Sequence, residues 1–488
     1  MTVPSERCLR ASLLRPLALA ASLALVGCGG GSHAERDAEG GDGGTGLQGA
    51  PSPTGAVSEG QPSPTGAAGS DDRPFPPDPD LWPSIRRERI RTLLAPAMER
   101  AAVDAWIVLA RENANDPVAA HIGAENAGGL AGFLFFLGED GTLESLAVSP
   151  ETEATALSEV TPLDSVRPVP RGTDIYGVVA RELEARDPRR IAVNSSGRNI
   201  ADGLSWTQRN RLEDALGSGL ASRLVSSEEV IIEWLSVKLP REVEIMRRAA
   251  ELTEALELEA YAMIEPGITT DADVARYLKI RMAELGVVDG WAPDQNPNVN
   301  SGADRGHSHA TERVIQPGDV IQTDFGIKVH GIWVTDIQRF AYVLRPGESE
   351  APPQMQERWE HAREGSRAAF STMRPGVTGW DVDRAQREVL ERNGSIPIIW
   401  STGHPVGYWA HDVGPRLGGA AGGAPPRGDA ARVLRPGQTF AFDGFHGWSR
   451  EDGTTRTISV EEMVVITDDG AEWLIEPQEE WVLIPSSQ

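Results

Sequence analysis

Val320-Ile321-Gln322-Thr323-Asp324-Phe325-Gly326 and Trp333-Val334-Thr335-Asp336-Ile337 are two apolar, strand-like runs, each carrying one aspartate. Two further runs have the same character, Thr439-Phe440-Ala441-Phe442-Asp443 and Ile458-Ser459-Val460-Glu461-Glu462-Met463-Val464. An acid embedded in such sequence is costly to bury unless it is paired, hydrogen-bonded or bound to a cation. Four of them require a shared cation or a shared proton. Histidines are interleaved with these acids, among them His307, His309, His330, His404, His411 and His446. A carboxylate-rich set with one or two imidazoles suits hard or borderline divalent metals, and four acids suffice to bridge two ions about 3.5–4 Å apart. The chemistry that follows is metal-activated water attacking a carbonyl.

The region around these runs repeats itself. Met263-Ile264-Glu265-Pro266-Gly267-Ile268-Thr269 precedes an expected helix over about 271–285 ending at Gly286, and Met373-Arg374-Pro375-Gly376-Val377-Thr378 precedes one over about 381–392 ending at Gly394. Pro317-Gly318 leads into the strand bearing Asp324, and Pro436-Gly437 into the strand bearing Asp443. Two matched landmarks in one order predict two α/β halves related by a pseudo-twofold, with Asp324 and Asp443 equivalent and a site between the halves.

Upstream, apolar runs such as Ala105-Trp106-Ile107-Val108-Leu109 and Phe133-Leu134-Phe135-Phe136-Leu137 alternate with helical stretches at 86–103 and 174–186, which reads as a separate α/β domain over 82–236. That domain has no dense cluster of potential ligands, so the chemistry falls to 237–488. Residues 29–81 are rich in Gly, Pro, Ser and Thr and repeat Pro-Ser-Pro-Thr-Gly-Ala, the composition of a disordered tether. Residues 1–28 place Arg7, Arg10 and Arg15 before an apolar run and end Leu25-Val26-Gly27-Cys28, the order of a secretory signal closing on a lipobox. The reading is an exported lipoprotein, anchored to a membrane through Cys28 and facing the periplasm or cell surface. Cys8 and Cys28 are the only cysteines, so disulfides and cysteine–metal sites are excluded from the mature chain. The net charge of −26 argues against nucleic acid as a partner.

The motifs together resemble the pita-bread metallopeptidases, the superfamily of methionine aminopeptidase, Xaa-Pro aminopeptidase, prolidase and creatinase. The residues carrying the resemblance are His307, Asp324-Phe325-Gly326, Thr335-Asp336-Ile337-Gln338-Arg339, Gly403-His404-Pro405-Val406-Gly407, His411-Asp412-Val413-Gly414, Leu434-Arg435-Pro436-Gly437 and Val460-Glu461-Glu462. The resemblance covers about 240–485, and the 82–236 region resembles the amino-terminal domain of the Xaa-Pro peptidases and creatinase. It implies an α/β (α+β) pita-bread catalytic domain, a homodimer and a peptide substrate. It also implies a dinuclear site of manganese, cobalt or zinc held by Asp324, Asp336, His404, Asp443 and Glu461, with Asp336 and Glu461 bridging. His307 and His411 are implied beside the metals as catalytic residues holding the substrate carbonyl and the tetrahedral intermediate. Asp443, besides ligating, is implied to shuttle a proton from the attacking water to the leaving amine.

Three departures from the family pattern stand in this sequence. Asp443 replaces a glutamate and is one methylene shorter. Twelve steps separate Asp324 from Asp336 where the family usually has eleven, which leads us to expect a β-bulge near Gly331-Ile332-Trp333. Ser459 stands where Xaa-Pro peptidases usually carry an arginine. The expected function is metal-dependent hydrolysis of Xaa-Pro bonds, by an aminopeptidase or dipeptidase. The alternative is a metal-poor relative that binds a peptide or small amide without cleaving it, or a creatinase-like metal-independent hydrolase. His309, His330 and His446 receive no role, Arg339 is expected to brace the site, and Tyr408 and Trp409 are candidates for pocket lining or core.

Overall fold

The computed structural model describes residues 73–113, 115–125 and 127–486. The expected signal peptide, Cys28 and most of the expected tether lie outside the described residues.

Helical chain from Leu81 to Arg100 leads into a six-stranded sheet. In spatial order its strands are Ser165–Val169, Leu143–Pro150, Ala131–Leu137, Ala105–Ala110, Ile191–Val193 and Leu224–Ser226. The strand Ala105–Ala110 is apolar throughout because both of its faces are covered. Ala105, Ile107 and Leu109 pack with Val179 and Leu183 of the helix Ile175–Arg186. Trp106 and Val108 pack on the other side with Ile85, Leu94 and Trp234.

The helix Pro240–Ala262 opens the second half of the chain, whose large sheet orders the strands Gly403–Pro405, Thr439–Ser449, Thr455–Ile466, Ile337–Val343, Val320–Phe325 and Asn298–Ser301. The expected internal repeat is present at atomic detail. Thr270 and Thr378 each cap a helix through a reciprocal box with the residue three positions on, Asp273 and Asp381, an arrangement that contributes about 1 kcal/mol per cap. Gly267 N donates to Ile315 O at 2.8 Å, and Gly376 N donates to Leu434 O at 2.9 Å. Both glycines hold φ near +87° and +86°, a region closed to most side chains. The helices are Asp271–Leu285 and Gly379–Arg392, the second starting two residues before the expected 381.

The expected β-bulge is absent. From Val320 opposite Tyr342 to Val329 opposite Trp333, pairing advances one residue on each side per step, with no insertion. The hairpin instead closes through His330-Gly331-Ile332, with His330 and Gly331 at φ 50° and 69°. An even spacing of twelve keeps Asp324 and Asp336 on one face of a hairpin whose register does not shift, so the bulge is unnecessary.

Candidate metal centre

One transverse row of the large sheet carries the polar chemistry. Asp443 pairs with Glu461, Glu461 with Gln338, Gln338 with Asp324, and Asp324 with Asn298. Directly opposed residues of antiparallel neighbours project from the same face, so five strands present these five side chains in line. Asp336 lies two residues before Gln338 and therefore shares that face. His404 joins from the edge strand Gly403–Pro405, opposite Ala441, two residues before Asp443. Asp324, Asp336, His404, Asp443, Glu461, His307 and His411 all line one cavity of ≈ 690 Å³.

The donor set fits a divalent cation. His404 Nδ1 lies 3.2 Å from the carbonyl oxygen of Pro405, which can only accept, so Nδ1 carries a proton and, in the neutral ring, Nε2 presents a lone pair. That lone pair faces Asp336 Oδ2 at 3.7 Å and Glu461 Oε1 at 3.6 Å. Ligand atoms of these three residues all lie within 4.8 Å of one another. Lone pairs converging in this way repel unless a positive charge sits among them. The acids report the same repulsion. Burial, Glu461 and Asp324 push Asp336 well above the usual carboxylate range, and burial, Glu461 and Asp324 do the same to Asp443. Asp324 is also raised, chiefly by burial, although its hydrogen bond from His307 opposes the rise.

The two flanking histidines differ. His307 Nδ1 is 3.0 Å from Asp324 Oδ2, and that hydrogen bond raises its pKa. His411 packs edge-on against His404 with ring centroids 4.3 Å apart, and burial followed by His404 lowers its pKa. The two imidazoles are thus shifted in opposite directions.

A buried amide relay joins Gln338 to Gln322 and to Ser459, the residue at which the resemblance leads one to expect an arginine. Gln338 Nε2 donates to Glu461 Oε2 at 3.0 Å and to Asp443 Oδ1 at 3.4 Å. Gln338 Oε1 accepts from Gln322 Nε2 at 2.6 Å and from Ser459 Oγ at 2.8 Å, which fixes the amide with its NH₂ toward the acids. Sequence reasoning assigned nothing to Gln322 or Gln338. The signal was present, since Gln322 and Gln338 each lie two residues from an aspartate and so share its face. Arg339 braces the same strands from behind, pairing with Glu254 and Glu462 and donating to the carbonyl oxygen of Glu461 at 3.2 Å.

A second buried network holds the loop bearing His411. Lys238 Nζ donates to Asp412 Oδ2 at 3.1 Å, and Tyr408 N donates to the same oxygen at 3.0 Å. Tyr408 Oη donates to Glu242 Oε1 at 2.6 Å, and Arg89 pairs with Glu242 at 2.6 Å. Tyr408 is therefore core, and neither it nor Trp409 lines the cavity. His309, His330 and His446 also stay outside the cavity. His330 packs edge-on to Phe75 and Trp333, and His446 packs tilted against His361 with ring centroids 4.9 Å apart.

Comparison with known proteins places this geometry. Residues 244–468 match metallopeptidase family M24. A probable dipeptidase PepE of Mycobacterium tuberculosis is 27% identical over 320 residues, covering 65% of this chain and 76% of that protein. The crystal structure of dipeptidase PepE from Mycobacterium ulcerans superposes with a TM-score of 0.60 at 22% identity, over 83% of this chain and 99% of that one. The X-Pro aminopeptidase structure from Thermotoga maritima gives a TM-score of 0.58 at 22% identity, over 79% and 99%. The chain thus has the mixed α/β pita-bread fold of these structures, carries a domain of metallopeptidase family M24, and is a metallopeptidase.

Proposed function

We propose that the protein hydrolyses the bond between a first residue and a following proline, in a dipeptide or at a peptide amino terminus, with two divalent ions of manganese, cobalt or zinc. The observation that carries the reading is the convergence of the His404 Nε2 lone pair with the Asp336 and Glu461 carboxylates, beside the raised acids Asp324 and Asp443. Asp324, Asp336, His404, Asp443 and Glu461 would hold the ions. When bound, such ions polarise a carbonyl and activate water for attack on it.

The remaining steps belong to the chain's own side chains. His307, oriented by Asp324, keeps Nε2 for a hydrogen bond to the substrate carbonyl oxygen. His411, its pKa lowered by burial, offers a ring N–H to negative charge developing on that oxygen. The carboxyl of Asp443 is available to pass a proton to the leaving prolyl nitrogen. Trp291 and Trp400 at the cavity wall provide apolar surface for the ring and keep water away from it.

The test is hydrolysis of an Xaa-Pro dipeptide and an Xaa-Pro-Xaa tripeptide, against Xaa-Ala controls, by manganese-loaded protein. Asp324→Asn and His404→Ala should each lower bound metal and abolish turnover; unchanged metal content and rate in both would refute the site. A second reading, a metal-poor protein that binds peptide without cleaving it, is favoured by one observation: the tight ligand group comprises Asp336, His404 and Glu461 but neither Asp324 nor Asp443. It predicts no cleavage at manganese saturation. The resemblance further supports a homodimer, checked by light scattering. The lipobox supports export and lipid anchoring, checked by fatty-acid labelling that Cys28→Ser abolishes.

A further inference from the structure

The cavity does not end at the row of acids. Ser459 and Thr457, two and four residues before Glu461, share its strand face and also line the cavity. At the usual rise they lie about 7 and 13 Å further along. Phe445 stands opposite Ser459 and lines the same stretch. The passage is open because the residue at 459 is small. Its hydroxyl turns to Gln338 and Gln322, at 2.8 and 3.1 Å, whereas a side chain as long as arginine would project into the way.

The loop that carries His307 closes the far end of this passage. Asp304 N donates to Thr455 O at 3.0 Å, which ties the loop to the strand two residues beyond Thr457. Gly306 N donates to Asp304 Oδ1 at 2.7 Å, so the carboxylate is oriented with Oδ2 left over. Asn298 Nδ2 donates to Gly306 O at 3.1 Å. A carbonyl oxygen can only accept, so this bond fixes the amide and leaves Asn298 Oδ1 pointing elsewhere. That oxygen has no partner, although Asn298 is only 3% exposed. Asp304, Gly306, Asn298 and Thr457 all line the cavity.

This end presents acceptors, and the cations around it are committed or turned away. Asp304 enters no ion pair among the described residues. Arg305 pairs with Asp271 at 2.8 Å, and Arg313 pairs with Asp319 at 2.6 Å. Arg456 is buried on the opposite face of its strand from Thr457 and feels the charge of Asp304 without pairing with it. The nearby amide donors are also taken, Gln322 Nε2 by Gln338 and Ser459, and Gln338 Nε2 by Glu461 and Asp443. A carboxylate oxygen, an unpartnered amide oxygen and a hydroxyl in one place suit a group with several donors and a positive charge.

The position of this end decides which part of a substrate can fill it. The proline ring carries no charge. The α-ammonium shares its Cα with the scissile carbonyl and stays beside the row of acids. A first residue with a long stem and a cationic head fits, its methylenes lying along Phe445 and its head among the acceptors. We infer that Asp304, Asn298 and Thr457 form a subsite for the side chain of a first-position lysine or arginine, reached through the space that Ser459 leaves open. The inference rests on the Xaa-Pro hydrolase reading above and narrows its substrate class.

The experiment compares manganese-loaded wild type, Asp304→Asn, Asp304→Lys and Ser459→Arg on Lys-Pro, norleucyl-Pro, Glu-Pro and Ala-Pro. Norleucine keeps the lysine stem and lacks its charge. A charge-assisted contact predicts that wild type has kcat/KM at least about tenfold higher for Lys-Pro than for norleucyl-Pro. Asp304→Asn keeps the oxygen that bonds Gly306 N and should bring that ratio close to one, mainly through KM. Asp304→Lys should reverse the preference towards Glu-Pro, and Ser459→Arg should lose more rate on Lys-Pro and norleucyl-Pro than on Ala-Pro. Equal kcat/KM on Lys-Pro and norleucyl-Pro in wild type, or an unchanged ratio in Asp304→Asn, would overturn the inference. Equal losses on all four dipeptides in Asp304→Asn would overturn it in favour of a contact to the α-ammonium. Thermal shift with the same dipeptides separates the subsite from the chemistry. Greater stabilisation of wild type by Lys-Pro than by norleucyl-Pro, lost in Asp304→Asn, supports the subsite even if no peptide is cleaved, an outcome that would sink the hydrolase reading alone. No stabilisation by Lys-Pro and no cleavage would overturn both.

Discussion

Replacing Gln338 by leucine tests whether the buried amide relay governs the metal ligands. The wild-type side chain donates a well-formed hydrogen bond to Glu461 at 3.0 Å and a marginal one to Asp443 at 3.4 Å, so the count is one full charge-assisted bond and a remnant. A hydrogen bond to a charged group is worth about 1.5–3 kcal/mol, which converts to about a tenfold to 150-fold weaker metal affinity if the bond serves to aim the ligand. That range agrees with the usual effect of second-layer partners on metal sites. The substitution also takes an acceptor from Gln322 Nε2 and Ser459 Oγ, at 2.6 and 2.8 Å, leaving their mutual bond at 3.1 Å. Ser459→Ala removes one of the two donors that orient the amide and leaves the other, so its effect should be smaller. The assay is calorimetric titration of metal-free protein with manganese, paired with chemical denaturation of the metal-free forms to separate aiming from stability. Manganese affinity within threefold of wild type in Gln338→Leu would refute the argument, because the relay would then be packing alone.

Three further outcomes follow from the same geometry. Lys238→Met leaves Asp412 buried with its cation removed, both side chains being 1% exposed or less, and should cost about 3–5 kcal/mol of stability in urea denaturation. His446 is held neutral, its pKa lowered from 6.5 to about 4 by burial and by His361. The unfolded chain takes up that proton first, so stability should decline as pH falls from about 6.5 towards 4, by up to about 3 kcal/mol, and His446→Gln should flatten that part of the curve. Asp443→Glu adds the methylene that would carry its carboxylate toward the Asp336–His404–Glu461 group, and should raise the manganese stoichiometry measured by elemental analysis if wild type binds fewer than two ions.

Much of this site was legible because strands alternate with a period of two. The acids at 324, 336, 443 and 461 stood out as charges in apolar runs, and the structure aligns Asp324, Asp443 and Glu461 in one row across the sheet, with Asp336 two residues from it on the same face. The paired Pro-Gly landmarks marked the two halves, down to equivalent glycine hydrogen bonds. Parity was also where the reading erred. A bulge is needed when two same-face residues are separated by an odd number of steps, and twelve is even. The parts that could not be read are those made by distant residues. Lys238 meets Asp412 across 174 positions, and Arg198 meets Asp429 across 231. No local pattern pairs them. Gln322 and Gln338 lie between these cases. Their alternation with Asp324 and Asp336 was visible, but the direction of an amide is set by its partners, here including Ser459 from a strand more than a hundred residues away.

These side chains are expected to hold catalytic metal. The most direct measurement is elemental analysis of purified protein dialysed against manganese, with hydrolysis of Leu-Pro recorded on the same sample. Two ions per chain are expected, with turnover that a chelator abolishes and manganese restores. Less than one ion per chain under saturating manganese, with no cleavage, would contradict it.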